Sequence, residues 1–218
     1  MQAVILSGGL GTRLRPLTNR VPKPMVPIRG KPFLEYQLNL LKKNGITEVL
    51  LCVGYKWGLI RRYFGDGSKL GMKIAYSVDK NLLGTGGALK KARDFLNVKF
   101  LLLNGDTFLP VDYKEMISDF NKKNKIGLIA VVRNKIKSTT GNVSMGPGGF
   151  ITGYRRACRY AKFQYLDAGA GVYRREVIDF LPKEKKFSFE EIVYPRLISK
   201  RELSGYLFRG RFYDIGTY

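Results

Sequence analysis

Residues 7–27 read SGGLGTRLRPLTNRVPKPMVP, and the rest of the chain is best read outward from this stretch. The apolar run at residues 3–6 leads straight into it and has the pattern of a buried strand. The loop that follows runs from Leu6 and Ser7 through Gly8, Gly9, Gly11 and Thr12 to Arg13. Arg15 comes next, and Lys23 stands between Pro22 and Pro24. Glycines let backbone N–H groups approach a ligand, because no Cβ stands in the way. An anion cradled by those groups would find guanidinium and ammonium charges within reach. The stretch therefore reads as a phosphate-handling loop at the end of a first strand. A glycine turn beside a solvated basic segment would share part of this pattern.

Two familiar phosphate loops are excluded. Gly9-Leu10-Gly11 is followed by Leu14 where a dinucleotide fingerprint needs its third glycine, and no Gly-Lys-Ser/Thr follows at the spacing of a P-loop. The 218 residues fit one α/β domain, and 44% hydrophobic residues with 25 glycines suit a loop-rich globular chain. There is no histidine, and Cys52 and Cys158 have no metal-ligand spacing, so a zinc site is not expected. Two cysteines, no signal-peptide pattern and no membrane-length apolar run point to a cytoplasmic chain with free thiols. Thirty-nine basic against 17 acidic residues give a net charge of +22. Such a field attracts polyanions, nucleic acid included. The charges are spread in pairs such as Lys90-Lys91 and Lys185-Lys186, as solvated helix faces are.

Strand and helix patterns alternate along the first two thirds of the chain. Residues 49–53, 72–78, 100–103 and 126–132 read as strands. Helical stripes lie between them: one from Pro32 to Asn44-Gly45, a short one at 60–64, one marked by Ala88, Leu89, Ala92 and Leu96, and one by Met116, Ile117 and Phe120. Repeated βα units imply a largely parallel sheet with helices on both faces. Beyond residue 133 the strand candidates shorten to 143–145, 150–154, 171–173, 203–208 and 211–213. Ser188-Phe189-Glu190-Glu191 has the form of a capping box, with Pro195 expected to kink or shorten its helix. A single domain over residues 1–218 is expected, with the second part packed onto the first.

Asn104-Gly105-Asp106 falls at the carboxyl end of a strand, where open α/β sheets bind ligands. Leu83-Gly84-Thr85-Gly86-Gly87-Ala88 reads as a glycine-rich turn just before a helix, presenting N–H groups to a ligand. These elements, the opening string and Phe212-Tyr213-Asp214-Ile215-Gly216-Thr217 together resemble the sugar-1-phosphate nucleotidyltransferases, the nucleotide-sugar pyrophosphorylases. The glycine run looks most like that of members acting with GTP on mannose or manno-heptose 1-phosphates. The resemblance implies a Rossmann-like three-layer α/β/α fold with a mostly parallel mixed sheet, the nucleotide-diphospho-sugar transferase fold. It implies a nucleotide-binding half to about residue 132 and a sugar-phosphate-binding half to 218; the C-terminal β-helix domain that many members carry is not expected in this sequence.

The same resemblance implies the substrates, an NTP and a sugar 1-phosphate, and the cofactor Mg²⁺, held by Asp106 and Asp214. Leu6, Ser7, Gly8, Gly9, Gly11, Thr12, Gly84, Thr85 and Gly105 would bind nucleotide. Arg13 would grip the β- and γ-phosphates, and Lys23 would bridge the α-phosphate and the incoming sugar phosphate. Asp106 joins these two as a catalytic residue. Arg155, Arg156, Asp167, Gly169 and Glu190 are the sugar-phosphate candidates. Two departures fall in this half: Arg155-Arg156 stands where members carry Glu-Lys, and Asp167-Ala168-Gly169-Ala170-Gly171 stands where they carry Asn-Ala-Gly. Alternatives are a UTP, dTTP or CTP enzyme acting on glucose or amino-sugar 1-phosphates, a non-catalytic regulator, and a nucleic-acid binder. Relatives that lose catalysis typically lose the arginine, lysine or aspartates, and all four are present here. Charge is the one feature favouring nucleic acid, since no stacking array accompanies it. No membrane partner is expected, and the family admits a homo-oligomer.

Overall fold

Alternating apolar runs and amphipathic stripes fold here into one large sheet covered on both faces. The structure is a computed structural model, and it describes residues 1–134, 141–155 and 163–216. Arg156, Cys158 and Thr217 lie outside the described residues. In chain order the strands are β1 (Gln2–Ser7), β2 (Pro27–Ile28), β3 (Lys31–Pro32), β4 (Glu48–Val53), β5 (Lys73–Val78), β6 (Lys99–Asn104) and β7 (Thr107–Phe108). They continue with β8 (Gly127–Arg133), β9 (Val143–Met145), β10 (Ile151–Tyr154), β11 (Tyr165–Arg174), β12 (Leu203–Phe208) and β13 (Tyr213–Asp214). The helices are α1 (Phe33–Lys43), α2 (Trp57–Phe64), α3 (Gly84–Lys91), α4 (Tyr113–Lys123) and α5 (Phe189–Ser199).

Strands β5, β4, β1 and β6 lie side by side and parallel. Strand β11 then runs antiparallel to β6 and to β8, and β12 joins β8 in parallel. The β9–β10 hairpin joins β11 through Val143 and Tyr165. Along β1, Ala3 and Ile5 pack with Leu34, Leu38, Ile60 and Phe120, so α1, α2 and α4 cover one face. Val4 turns the other way, onto Leu89, Phe189, Val193 and Leu197 of α3 and α5. Burial on both faces explains why these strands read as continuous apolar runs.

Four sequence expectations need correction. The glycine run expected ahead of a helix is the first turn of α3, and Leu96 lies past a short 3₁₀ turn rather than on that helix. The strand read at residues 171–173 extends over all of β11, because small residues in its middle form a bulge: the register against β8 slips between Asp167 and Gly171. Pro195 sits inside α5, which continues to Ser199. It lies on an exposed face of the helix, where its ring has room. The terminal strand is the two-residue β13 paired with β7, not residues 211–213. Among the described residues, no helix is long and apolar enough to cross a membrane.

Candidate active site

From β1 the chain steps to β4 and β5 on one side, then returns to β6 on the other. Parallel strands leave a crevice at such a switch, at their carboxyl ends. A cleft of about 610 Å³ opens there, reached by Leu6 and Ser7 from β1 and by Asn104, Gly105 and Asp106 from β6. The two strand ends nearly touch. Gly105 donates its N–H to the Leu6 carbonyl at 3.0 Å. A Cβ on Gly105 would stand 2.4 Å from Ser7 Oγ and 2.6 Å from Leu6 O, so a side chain cannot be accommodated without displacement.

The loop after β1 brings Gly8, Gly9 and Arg13 to the cleft. Arg13 lies exposed in a short 3₁₀ turn pinned by buried Leu14. Gly11 and Thr12 stay outside the lining; the buried Thr18 hydroxyl donates to the Gly11 carbonyl at 2.9 Å and holds the loop. Lys23 reaches back so that its Nζ lies 2.6 Å from Asp106 Oδ2. Residues read separately in the sequence as phosphate contact and metal ligand thus form one ion pair, with side chains 12% and 34% exposed.

Asp214 is carried to the same place by pairing of β13 with β7, which sets it opposite Thr107. The Ile215 N–H donates to the Asp106 carbonyl at 3.0 Å. Gln37, buried on α1, clamps the turn from beneath by donating to the Asn104 and Thr107 carbonyls at 2.8 and 2.7 Å. Mg²⁺ takes one or two carboxylates and completes its shell with water and phosphate oxygens. Two aspartates beside a phosphate-binding loop fit that donor set, and the Lys23 ammonium on Asp106 shows that a cation is electrostatically welcome there. Among the described residues, no cluster of three or more ligands offers a protein-only metal cage.

The glycines of α3 serve a purpose the sequence reading missed. Segment 185–187 lies directly against the helix's first turn, where Cβ atoms on Gly84, Gly86 and Gly87 would come within 2.4 Å of Phe187 O, 2.1 Å of its ring and 2.2 Å of Lys185 O. Gly86 donates its N–H to Phe187 O at 3.1 Å, and Phe187 donates its own to Leu83 O at 3.1 Å. That amide therefore binds protein, not a ligand. Gly84, Thr85 and Lys186 all line the cleft. Lys186 had been counted among solvated charges, because a lysine pair on a loop carries no pattern that distinguishes a cleft-facing member.

On the far wall stand Asn142, Tyr154, Asp167, Gly169 and Glu190. The β11 bulge delivers Asp167 and Gly169. Burial pushes the Asp167 carboxyl up to about 7, against a bond from the Gly169 N–H at 2.9 Å that favours the charged form; the charge of Glu190 raises it further. The Tyr173 hydroxyl donates to that of Tyr194 at 3.0 Å, and burial raises both phenols well above the usual range. Arg155 lies outside the cleft lining, where its N–H donates to the Asn142 carbonyl at 2.9 Å, while neighbouring Tyr154 turns inward.

Asp79, at the end of β5, also lines the cleft. It is buried and its Oδ1 finds no hydrogen-bond partner, with the Lys91 ammonium at 3.5 Å. Burial raises its carboxyl, and Lys91 pulls the other way. A sequence signal for it existed, since it closes an apolar run at the same sheet edge as Asp106. Cys52, on β4, is buried with a free thiol raised to about 12, which leaves it unreactive.

The profile of the nucleotidyl transferase family matches residues 2–218. The D-glycero-alpha-D-manno-heptose 1-phosphate guanylyltransferase of Campylobacter jejuni is 37% identical over 217 residues, covering all of this chain and 95% of that protein. The mannose-1-phosphate guanylyltransferase of Mycobacterium tuberculosis is 34% identical over 221 residues; this chain, matched in full, spans 61% of it. Among solved structures, HddC from Yersinia pseudotuberculosis, crystallised with GMP-PN, superposes with a TM-score of 0.82 at 29% identity over 99% of this chain and 93% of that one. With its glycine loop, Lys23–Asp106 pair and switch-point cleft in one continuous match, this chain belongs to the nucleotidyl transferase family, whose members similar to it move nucleotidyl groups onto sugar 1-phosphates.

Proposed function

We propose that this chain transfers the guanylyl group of GTP to the 1-phosphate of a manno-configured heptose or hexose, releasing pyrophosphate, with Mg²⁺ held at Asp106 and Asp214. The observation that carries the reading is the convergence of Arg13, Lys23, Asp106 and Asp214 on one cleft at the β1–β6 switch. The names of the relatives that match the whole chain support GTP and the manno series.

The chemistry asks little of a base. The attacking phosphate oxygen is already ionised at neutral pH, and a chain without histidine suffices. What the step requires is two mutually repelling polyanions held in line, with their charge neutralised. Arg13 offers a planar fork to the leaving pyrophosphate. Lys23 is placed to leave Asp106 for the α-phosphate and the incoming sugar phosphate as these arrive. Bound Mg²⁺ would neutralise phosphate charge at the carboxylates. Asp79 supports guanine in particular: its Oδ1 is turned toward Lys91, while the carboxylate lines the cleft with Oδ2 on the Gly8 side, where it suits the N1 and N2 donors that guanine presents and uracil does not. We place the reaction in the cytoplasm, where nucleoside triphosphates are abundant.

Pyrophosphate release, measured with each of four NTPs against a panel of sugar 1-phosphates, tests the reading. GTP with mannose or manno-heptose 1-phosphate, dependent on added Mg²⁺, is the expected pair. Preference for UTP with glucose 1-phosphate overturns the substrate assignment, and salt-sensitive DNA binding without pyrophosphate release overturns the enzyme.

A further inference from the structure

The first turn of α3 and the start of α5 carry residues read for different substrates, and one hydroxyl ties them together. Thr85 Oγ1 donates to Glu190 Oε2 at 2.7 Å and accepts the Phe189 N–H at 2.8 Å. A threonine hydroxyl has one proton to give, and here it goes to the carboxylate. Ser188 Oγ donates to the same Oε2 at 2.8 Å and, as the helix cap, accepts the Glu191 N–H at 3.3 Å. Both hydroxyls load Oε2, so Oε1 is the oxygen left to accept from a ligand, and Glu190 lines the cleft. The backbone is fastened beside them by the two Leu83–Phe187 and Gly86–Phe187 bonds, over glycines that admit no side chain.

We propose that Thr85 is a positioning residue for the acceptor: standing on the nucleotide-side helix, it aims the neighbouring Glu190 carboxylate at the sugar hydroxyls of the acceptor. The inference rests on the reading of Glu190 as a sugar contact. It goes beyond that reading by giving the glycine-rich turn a task on the acceptor side. Val at position 85 keeps the shape and removes both hydrogen bonds, whereas Ser keeps the hydroxyl. A hydrogen bond to a charged group corresponds to about tenfold or more in affinity.

The test is steady-state kinetics of the wild type, Thr85→Val, Thr85→Ser and Glu190→Gln, with melting temperatures measured in parallel. Thr85→Val is expected to raise the KM of the sugar 1-phosphate about tenfold more than it raises the KM of GTP. Thr85→Ser is expected to restore the wild-type value. Combined with Glu190→Gln, Thr85→Val should add little further loss. Equal increases in both KM values, no increase in either, or full additivity overturns the proposal while leaving the transferase reading intact. Wild-type protein that releases no pyrophosphate with any substrate pair overturns the transferase reading and this inference with it.

Discussion

The two walls of the cleft are built in different ways. On the nucleotide side, short contiguous strings carry their own geometry: the loop after β1 folds back on itself, and Lys23 meets Asp106 across 83 residues through one contact. On the wall proposed for the sugar, Asp167, Gly169 and Glu190 depend on a bulge in β11 and on segment 185–187 lying against α3. In the proposed function, contiguous motifs specify charge positions for triphosphate, which every substrate shares. Tertiary packing shapes the acceptor wall, where substrates differ. The difference accounts for why reaction class is more readily read from residues than sugar identity.

Breaking the nucleotide side should cost most. Asp106→Asn removes a carboxylate from the proposed metal pair and leaves Lys23 without its partner, and turnover is expected to fall by about 10²–10³. Near-normal pyrophosphate release from this variant contradicts the assignment. Gly105→Ala forces a methyl group against Ser7 and Leu6, and a loss of about 1–3 kcal/mol is expected from urea unfolding. An unchanged midpoint with unchanged slope shows that the strand ends can part freely. Asp79→Asn puts a donor where guanine also donates, so the preference for GTP over the other triphosphates should narrow about tenfold. A specificity ratio equal to wild type removes Asp79 from base selection.

The acceptor wall offers a gentler test through pH. Folded Asp167 holds its proton up to about 7, whereas an unfolded aspartate releases it near 4. Between those values the folded state binds more protons, so this residue makes stability fall as pH rises through the window. Asp167→Asn can keep the bond from the Gly169 N–H through its amide oxygen, and it should flatten that slope. Parallel stability curves for wild type and variant from about pH 4 to 7 would contradict the placement of this carboxyl.

Much of the fold was legible because burial on two faces leaves unbroken apolar runs, as at β1, β4 and β6. Asp106 and Asp214 were legible because each stands in a short string with a fixed backbone. The structure then explained their proximity by the β7–β13 pairing. Asp79 carried a signal that went unread, at the end of a strand run on the same sheet edge as Asp106, whereas Gln37 and Lys186 were not legible. Their partners are remote in sequence or absent from any local pattern: Gln37 looks like one more polar residue on an amphipathic helix, though it holds the Asp106 turn. The length of β11 was hidden because its bulge is written in alanine and glycine, which carry no alternation. Arg155 was offered in place of a family lysine, and it lies outside the cleft lining.

The most direct measurement is phosphorus NMR of a mixture of the protein, GTP, Mg²⁺ and mannose or manno-heptose 1-phosphate. The account expects the GTP and sugar-phosphate signals to give way to the coupled pair of a GDP-sugar together with inorganic pyrophosphate. Unchanged GTP, or GDP with free phosphate and no sugar nucleotide, would contradict it.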